Sequence, residues 1–347
     1  MIEHFRDQVR TAAANKTALR IRGGGTKDWY GGRLEGEILD TRGHAGIVDY
    51  EPTELVITAR CGTPLAEIEA VLAERNQMLA FEPPHFGDNA TIGGAIAAGL
   101  SGPRRANSGG VRDFVLGAKL MDGRGEVLNF GGQVMKNVAG YDVSRLLAGS
   151  LGTLGLLLEM SVKVLPRAFA ETTLQFAMSE IDAIRNLNEW GGQPLPVSGS
   201  CWHDGVLALR LSGARAAVDA AVKSLGGQVM PDADAFWAGV REQHHAFFDG
   251  DSPLWRLSVP STTGALVLGG EQLIEWGGAQ RWLRAGLDAG DTIRRTAAAA
   301  GGHATLFRGG DKAAGVFQPL APAVARIHER LKTAFDPSHI FNRGRMV

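Results

Sequence analysis

Two cysteines, Cys61 and Cys201, are all that the 347 residues contain, and they stand too far apart for a disulfide framework or a metal spacing. That excludes an intrinsic iron–sulfur cluster and points to a reducing compartment. Charge of one sign is also missing. The formal net charge of -1 leaves no basic field to draw in nucleic acid or an anionic membrane surface. No window approaches the roughly 20 consecutive apolar residues that cross a bilayer. The amino terminus, MIEHFRDQVRTAAANK, has charges at helical spacing and no apolar core of secretory type, so it reads as a helix and not a leader. The expected location is therefore cytoplasmic. Neither G-x-G-x-x-G nor G-x-x-x-x-G-K-[ST] occurs, which removes the two commonest nucleotide fingerprints.

Glycine is abundant, with 47 residues and no G-X-Y repeat, so it serves turns and close backbone approaches. Its densest stretch, residues 86–114, carries pairs at Gly93-Gly94 and Gly109-Gly110. Residues 91–99 read as a small-faced helix whose first turn holds Gly93 and Gly94, next to Thr91 and Ile92. Such a helix start suits a phosphate; equally, it suits tight packing in a core. A second cluster lies upstream. Leu19-Arg20-Ile21-Arg22 alternates as a half-buried strand and ends in Gly23-Gly24-Gly25-Thr26, a loop whose N–H groups can turn inward around an anion. Two such places predict a ligand with more than one phosphate, clamped between two layers.

The remaining pattern gives the organisation. Short strands are expected at 38–40, 47–50 and 55–59, then a helix capped by Thr63 and opened by Pro64 as far as about residue 75. A hairpin follows at 115–130, then a helix over 136–148 and a strand over 156–164. Beyond Pro166, strand-like pieces at 172–177, 206–211, 255–260 and 265–268 alternate with helical pieces such as 214–225. Six of the seven tryptophans fall in this second part. A helix over 321–335 and a tail bearing Asn342 end the chain.

Residues 21–26 and 86–114, with a third block at 136–166 and the ending FDP…NRGR, resemble the FAD-binding domain of the vanillyl-alcohol-oxidase type flavoproteins. The detailed likeness is to the flavin-binding subunits of bacterial glycolate oxidase complexes. The resemblance implies an α+β fold. A two-subdomain FAD-binding domain over 1–167 would be followed by an α+β cap over 168–300 and a terminal segment over 301–347 that returns to the flavin. It also carries cofactor roles onto particular residues. Arg22, Gly23, Gly24, Gly25 and Thr26 match the family's first loop, Thr91, Ile92, Gly93 and Gly94 its A-T-I-G-G turn, and Ser101-Gly102 the S-G after it. Leu156 falls where backbone borders the adenine, and Asn342 in the returning tail. Departures are Ala98-Gly99 in place of Thr-Asn, and Leu151 in place of a glutamate. With Thr26-Lys27 in the first region and no cysteine between Cys61 and Cys201, the histidine and cysteine attachment points of covalent members are missing, so the FAD is expected to be noncovalent.

The resemblance further implies oxidation of a small 2-hydroxy acid, glycolate to glyoxylate, with electrons passed to an iron–sulfur subunit. A second flavoprotein subunit would belong to the same complex, which would hold this chain at the inner membrane without a span of its own. Two alternatives stay open: a self-sufficient FAD oxidase of another alcohol, and a structural subunit without catalysis. No catalytic residue is assigned, because the histidine- and acid-rich motif of related dehydrogenases is absent from the second half. His244-His245 reads as a surface pair. His303 and Arg308, on the strand-like HATLFR, are read as sharing one face, where a base and a carboxylate clamp would meet.

Overall fold

The computed structural model describes residues 1–132 and 142–346 and falls into two compact units. The first comprises residues 1–100, 110–166 and 319–347; the second comprises 101–109 and 167–318. Helices and strands are mixed in both.

In the first unit, helix Ile2–Asn15 buries Phe5, Val9 and Ala12, one helical stripe, and ends at Lys16 in the left-handed region (φ 54°). That stripe packs on Leu39, Leu156, Leu158 and Phe341. Strands Leu19–Arg22 and Glu37–Asp40 pair in parallel. The carboxyl-terminal tail joins them, because Leu19 N–H donates to Ile340 O at 2.7 Å and Asn342 N–H donates to Leu19 O at 2.8 Å. A five-stranded antiparallel sheet stands beside this group in the order Ile47–Glu51, Val56–Arg60, Leu156–Lys163, Val115–Met121, Val127–Gly131. The expected hairpin is its far edge. Helix Leu65–Glu74 covers the sheet with Leu65, Ile68 and Leu72. Its cap differs from the expectation. Pro64 holds the N-cap position, while the Thr63 hydroxyl donates back to Arg60 O at 2.7 Å. The helix expected over 136–148 lies partly outside the described residues; its described part is Val143–Leu146.

The second unit is one eight-stranded antiparallel sheet. Its order is Gln228–Val229, Ala170–Ala177, Val206–Gly213, Val197–His203, Glu271–Glu275, Gln280–Arg284, Leu254–Ser258, His303–Arg308. Helices Glu180–Gly191 and Arg215–Leu225 bury Ala183, Leu187, Val218 and Ala221 against one half of it, and Gly290–Ala299 buries Ile293 and Ala297 against the other. The strand expected at 265–268 does not form. Val267 there is 98% exposed, and the ladder is built instead by Glu271–Glu275, where Leu273 and Ile274 are fully buried. Sequence reading also missed Val197–His203 and Gln280–Arg284, since serine, glycine and arginine interrupt their alternation.

Candidate functional site

A cleft of about 810 Å³, its open mouth included, lies in the first unit, where the parallel strand pair meets the start of helix Ile92–Ala98. Both glycine clusters line it. Gly23 lies against Thr91, whose Oγ1 is 2.4 Å from where a Cβ on Gly23 would stand. Gly24 presses on the carbonyl of Asn89, which is 1.5 Å from the corresponding point. Backbone thus touches backbone, as only glycine permits. The N–H groups of residues 23–26 find no acceptor among the described residues, although the loop is half-buried. Consecutive, unengaged N–H donors are what an oxyanion requires.

The helix start behaves otherwise. Ile92 N–H donates to Thr63 O at 3.0 Å, Gly93 N–H to Cys61 O at 2.9 Å, and Gly94 N–H to Thr91 Oγ1 at 3.2 Å. The donors that the sequence offered to a phosphate already have protein partners. Gly93 serves packing as well, since a Cβ there would fall 2.7 Å from Cys61 Cβ. Gly93, Gly94 and Thr91 line the cleft, whereas the Ile92 side chain is 1% exposed and belongs to the core beneath. Arg22, Gly23, Gly24, Gly25, Thr26, Leu156 and Asn342 line the cleft too. Ser101 and Gly102 do not. They belong to the second unit, where Gly102 O accepts from Trp276 Nε1 at 3.1 Å.

Asn342 has both ends engaged. Its Oδ1 accepts from Ile21 N–H at 2.8 Å and its Nδ2 donates to Leu151 O at 2.6 Å. It ties the tail to the strand before the glycine loop and to the turn before Leu156, and so shapes the wall of the cleft.

Charge around the cleft is strongly positive. Arg20, Arg22, Lys27 and Arg345 line it, against the single carboxylate of Asp28. Asp28 pairs with Arg20 and, at 2.8 Å, with Arg22 Nε. Arg20 Nε is buried and has no partner among the described residues. Arg345, 7% exposed, donates to Asp28 O at 3.1 Å and Gly32 O at 2.9 Å, and burial lowers its pKa. An orphaned guanidinium nitrogen, surplus cations and a loop of free N–H groups fit the pyrophosphate of a dinucleotide cofactor. Arg20 and Arg345 escaped the sequence reading. Arg20 shares the strand parity of Arg22, and Arg345 ends the tail motif from which only Asn342 was taken.

Cys61 reaches the cleft floor, but burial pushes its thiol up to about 12. Such a thiol is not a nucleophile near neutrality. The departures at 98–99 also have a local reason. Gly99 ends its helix at φ 68°, and a Cβ there would come 2.6 Å from Gly149 Cα, so a larger residue would part the two segments.

The paired residues of the second unit are dispersed. His245 follows helix Ala233–Glu242, its Nδ1 accepts from Phe247 N–H at 3.2 Å, and its ring meets His203 edge-on at 5.2 Å. Strict alternation places residues five apart on opposite faces, so His303 and Arg308 share a face only because the register shifts by one opposite Leu254/Trp255. They remain about 16 Å apart along the strand. One small substrate cannot touch both, and the expected base-and-clamp pair is not assembled. Among the described residues no group of three or more His, Cys, Asp or Glu could hold a metal, and no helix is long and apolar enough to cross a membrane.

Comparison with known proteins bears on this geometry. The FAD binding domain family matches residues 2–131. The glycolate oxidase subunit GlcE of Escherichia coli (strain K12) is 51% identical over 340 residues, covering 98% of this chain and 95% of that protein. The glycolate oxidase subunit GlcD of Bacillus subtilis (strain 168) is 33% identical over 138 residues, 40% of this chain and 29% of that one. A solved structure of alkyldihydroxyacetonephosphate synthase superposes with a TM-score of 0.66 at 15% identity, over 98% of this chain and 75% of that one, which is a likeness of fold.

Proposed function

Since this chain belongs to the family of glycolate oxidase GlcE subunits, FAD-dependent oxidoreductases, we propose that it is the FAD-binding subunit of a complex that oxidises glycolate, or a similar 2-hydroxy acid, to the 2-oxo acid. In this reading two electrons leave the substrate and pass on to an iron–sulfur subunit, and a second flavoprotein subunit like GlcD completes the assembly. The observation that carries it is the run of unengaged N–H groups at 23–26 beside a cationic wall.

When bound, the flavin supplies a two-electron acceptor for the carbon that bears the hydroxyl. This chain's residues do the holding. The N–H groups of Gly23, Gly24, Gly25 and Thr26 accommodate the pyrophosphate oxygens. Arg20, Arg22 and Arg345 neutralise its charge, and the low dielectric behind Arg345 strengthens that attraction. Leu156 and Leu157 offer an apolar border to a ring. Asn342 keeps the strand, the turn and the tail in register. The cofactor is held without a covalent bond, because the cysteine at the cleft remains a neutral thiol.

His303 and Arg308 do not meet, and this reading assigns no proton acceptor for the substrate hydroxyl to the chain. A flavoprotein without a positioned base forgoes the ~10²–10⁴-fold that general base catalysis contributes. The chain alone should therefore oxidise hydroxy acids slowly, and its work is to receive or relay electrons within the complex. The test is anaerobic bleaching of the FAD-loaded chain by glycolate, alone and with its partner subunits. Slow bleaching alone and fast bleaching in the complex is the expected result; fast bleaching alone would sink the relay reading and make the chain a dehydrogenase in its own right.

A further inference from the structure

Past strand Glu37–Asp40 the chain makes a turn at 41–46 that is bonded to two parts of the first cleft's wall. At one end, the Thr41 N–H and hydroxyl both donate to Arg22 O, at 3.0 and 3.3 Å, on the residue that leads into the glycine loop. At the other, Gly62 N–H donates to His44 O at 2.9 Å, and a Cβ on Gly62 would stand 2.2 Å from Thr41 O. Cys61, next to Gly62, accepts in turn from Gly93 N–H at 2.9 Å. The turn thus braces the loop entry and, through residues 61–62, the floor and the helix start. Its one ring is out of keeping with these satisfied groups. His44 is 7% exposed and meets Phe5 edge-on at 6.0 Å, and its Nε2 has no hydrogen-bond partner among the described residues.

We propose that the turn at 41–46 is a pH-sensitive catch on the cofactor: the cleft holds FAD while His44 is neutral, and protonation of His44 releases it.

The surroundings oppose a charged ring. Both nitrogens of an imidazolium carry hydrogen, so the cation would set an N–H at Nε2 against no acceptor in a buried site. Arg60, at the end of strand Val56–Arg60, donates through Nη1 to Ala45 O at 3.2 Å, which ties a guanidinium to the same turn. The amino group of Met1 adds a second cation, and Glu159, opposite Arg60 in the sheet, is the acid nearby. Glu159 is already paired with Lys119 at 2.7 Å. Arg42 pairs with Asp40 at 2.6 Å, and Glu3 and His4 on the first helix are exposed. Burial, and then Arg60, hold the His44 pKa below the ordinary 6.5, against the pull of Glu159 and the Leu158 carbonyl. The closed turn is therefore complete above 6.5. As pH falls from 6.5 towards the folded value, an opened turn binds the proton more readily and is favoured.

This inference rests on the FAD reading of the cleft, and its test separates the two. FAD is titrated into the flavin-free full chain from about pH 7.5 down to about pH 5.5, a window that spans the ordinary imidazole value. The Kd should rise about three- to tenfold across it, within the limit of one linked proton. His44→Phe, which cannot titrate, should flatten that profile, and His44→Asn does the same service if the phenyl ring does not fit. His245→Asn, in the second unit, should keep the wild-type profile. NMR of the ring in flavin-free chain should show His44 titrating below 6.5, and lower still with FAD bound, since the linkage is reciprocal. An unchanged slope in a folded His44 variant, or a ring that titrates at the same pH with and without FAD, overturns the catch and leaves the FAD site standing. No FAD binding even at the upper end overturns both.

Discussion

Asn342 reaches across 321 positions of sequence to accept a hydrogen bond from Ile21 N–H at 2.8 Å, and so fixes the strand that leads into the Gly23 loop. Its amide gives the second bond to Leu151 O, on the segment that carries Leu156 into the same cleft. Three separate parts of the chain are locked by one buried side chain.

Replacing Asn342 by Ala removes both bonds and leaves a half-buried N–H and a buried carbonyl without partners. A cost of about 1–3 kcal/mol is expected, with FAD affinity falling alongside. Asn342→Asp keeps the acceptor for Ile21 but sets a carboxylate against Leu151 O, and should be worse. Denaturant unfolding with flavin quantification on the same samples checks both. Equal stability and full flavin in Asn342→Ala would show that the strap is dispensable.

Gly24 allows no side chain, because a Cβ would meet the Asn89 carbonyl at 1.5 Å. Gly24→Ala, and more strongly Gly24→Val, should part the loop from residues 89–91 and displace its N–H groups. Soluble protein depleted of flavin is the expected outcome, read from visible absorbance per chain. Normal flavin content in Gly24→Val would remove residues 23–26 from the cofactor site.

The cofactor should leave on acid precipitation. With the Cys61 thiol pushed up to about 12, no nucleophile at the cleft floor forms a bond to it. FAD in the supernatant, identified by chromatography, is expected; yellow colour retained in the washed pellet, or FMN in solution, would contradict it.

Lys332 and Asp336 form a 2.6 Å ion pair beneath the tail, with the aspartate side chain fully buried. Lys332 Nζ also donates to Thr153 O at 2.7 Å and Phe341 O at 2.9 Å. Lys332→Met strands the aspartate in a dry site and should destabilise the fold by about 3–5 kcal/mol. The double variant Lys332→Met/Asp336→Asn should recover part of that loss. A thermal or urea midpoint that hardly moves in Lys332→Met would mean that water reaches the pair.

Acid should weaken the second unit through His245, whose pKa burial and the nearby His203 hold below the ordinary 6.5. The sign follows from linkage: the unfolded chain binds the proton more readily, so stability is complete above 6.5 and declines as pH falls from 6.5 towards the folded value. His245→Asn retains a side-chain acceptor for Phe247 N–H and removes the titration, so its stability should depend less on pH in that window. An identical pH slope in wild type and variant would place the acid sensitivity elsewhere.

The sequence by itself marked the strand, the glycine loop and the small-faced helix that line the first cleft. Alternation in LRIR, three glycines after it and the Thr91-Ile92-Gly93-Gly94 turn carried enough local signal, because strand period and glycine content are written in consecutive residues. Tertiary structure alone decided which donors are free. The N–H groups of residues 92–94 lost that role to Thr63 O, Cys61 O and the Thr91 hydroxyl, partners that sequence order does not announce. It also made Asn342 a strap and brought Arg345 to the cleft, since a residue near the end of the chain can reach Leu19–Arg22 only through the fold. Period two separates His303 from Arg308, and one shifted pairing opposite Leu254/Trp255 restores their common face. A single residue of slippage reverses every side chain beyond it, and only the packed sheet fixes where that slip falls.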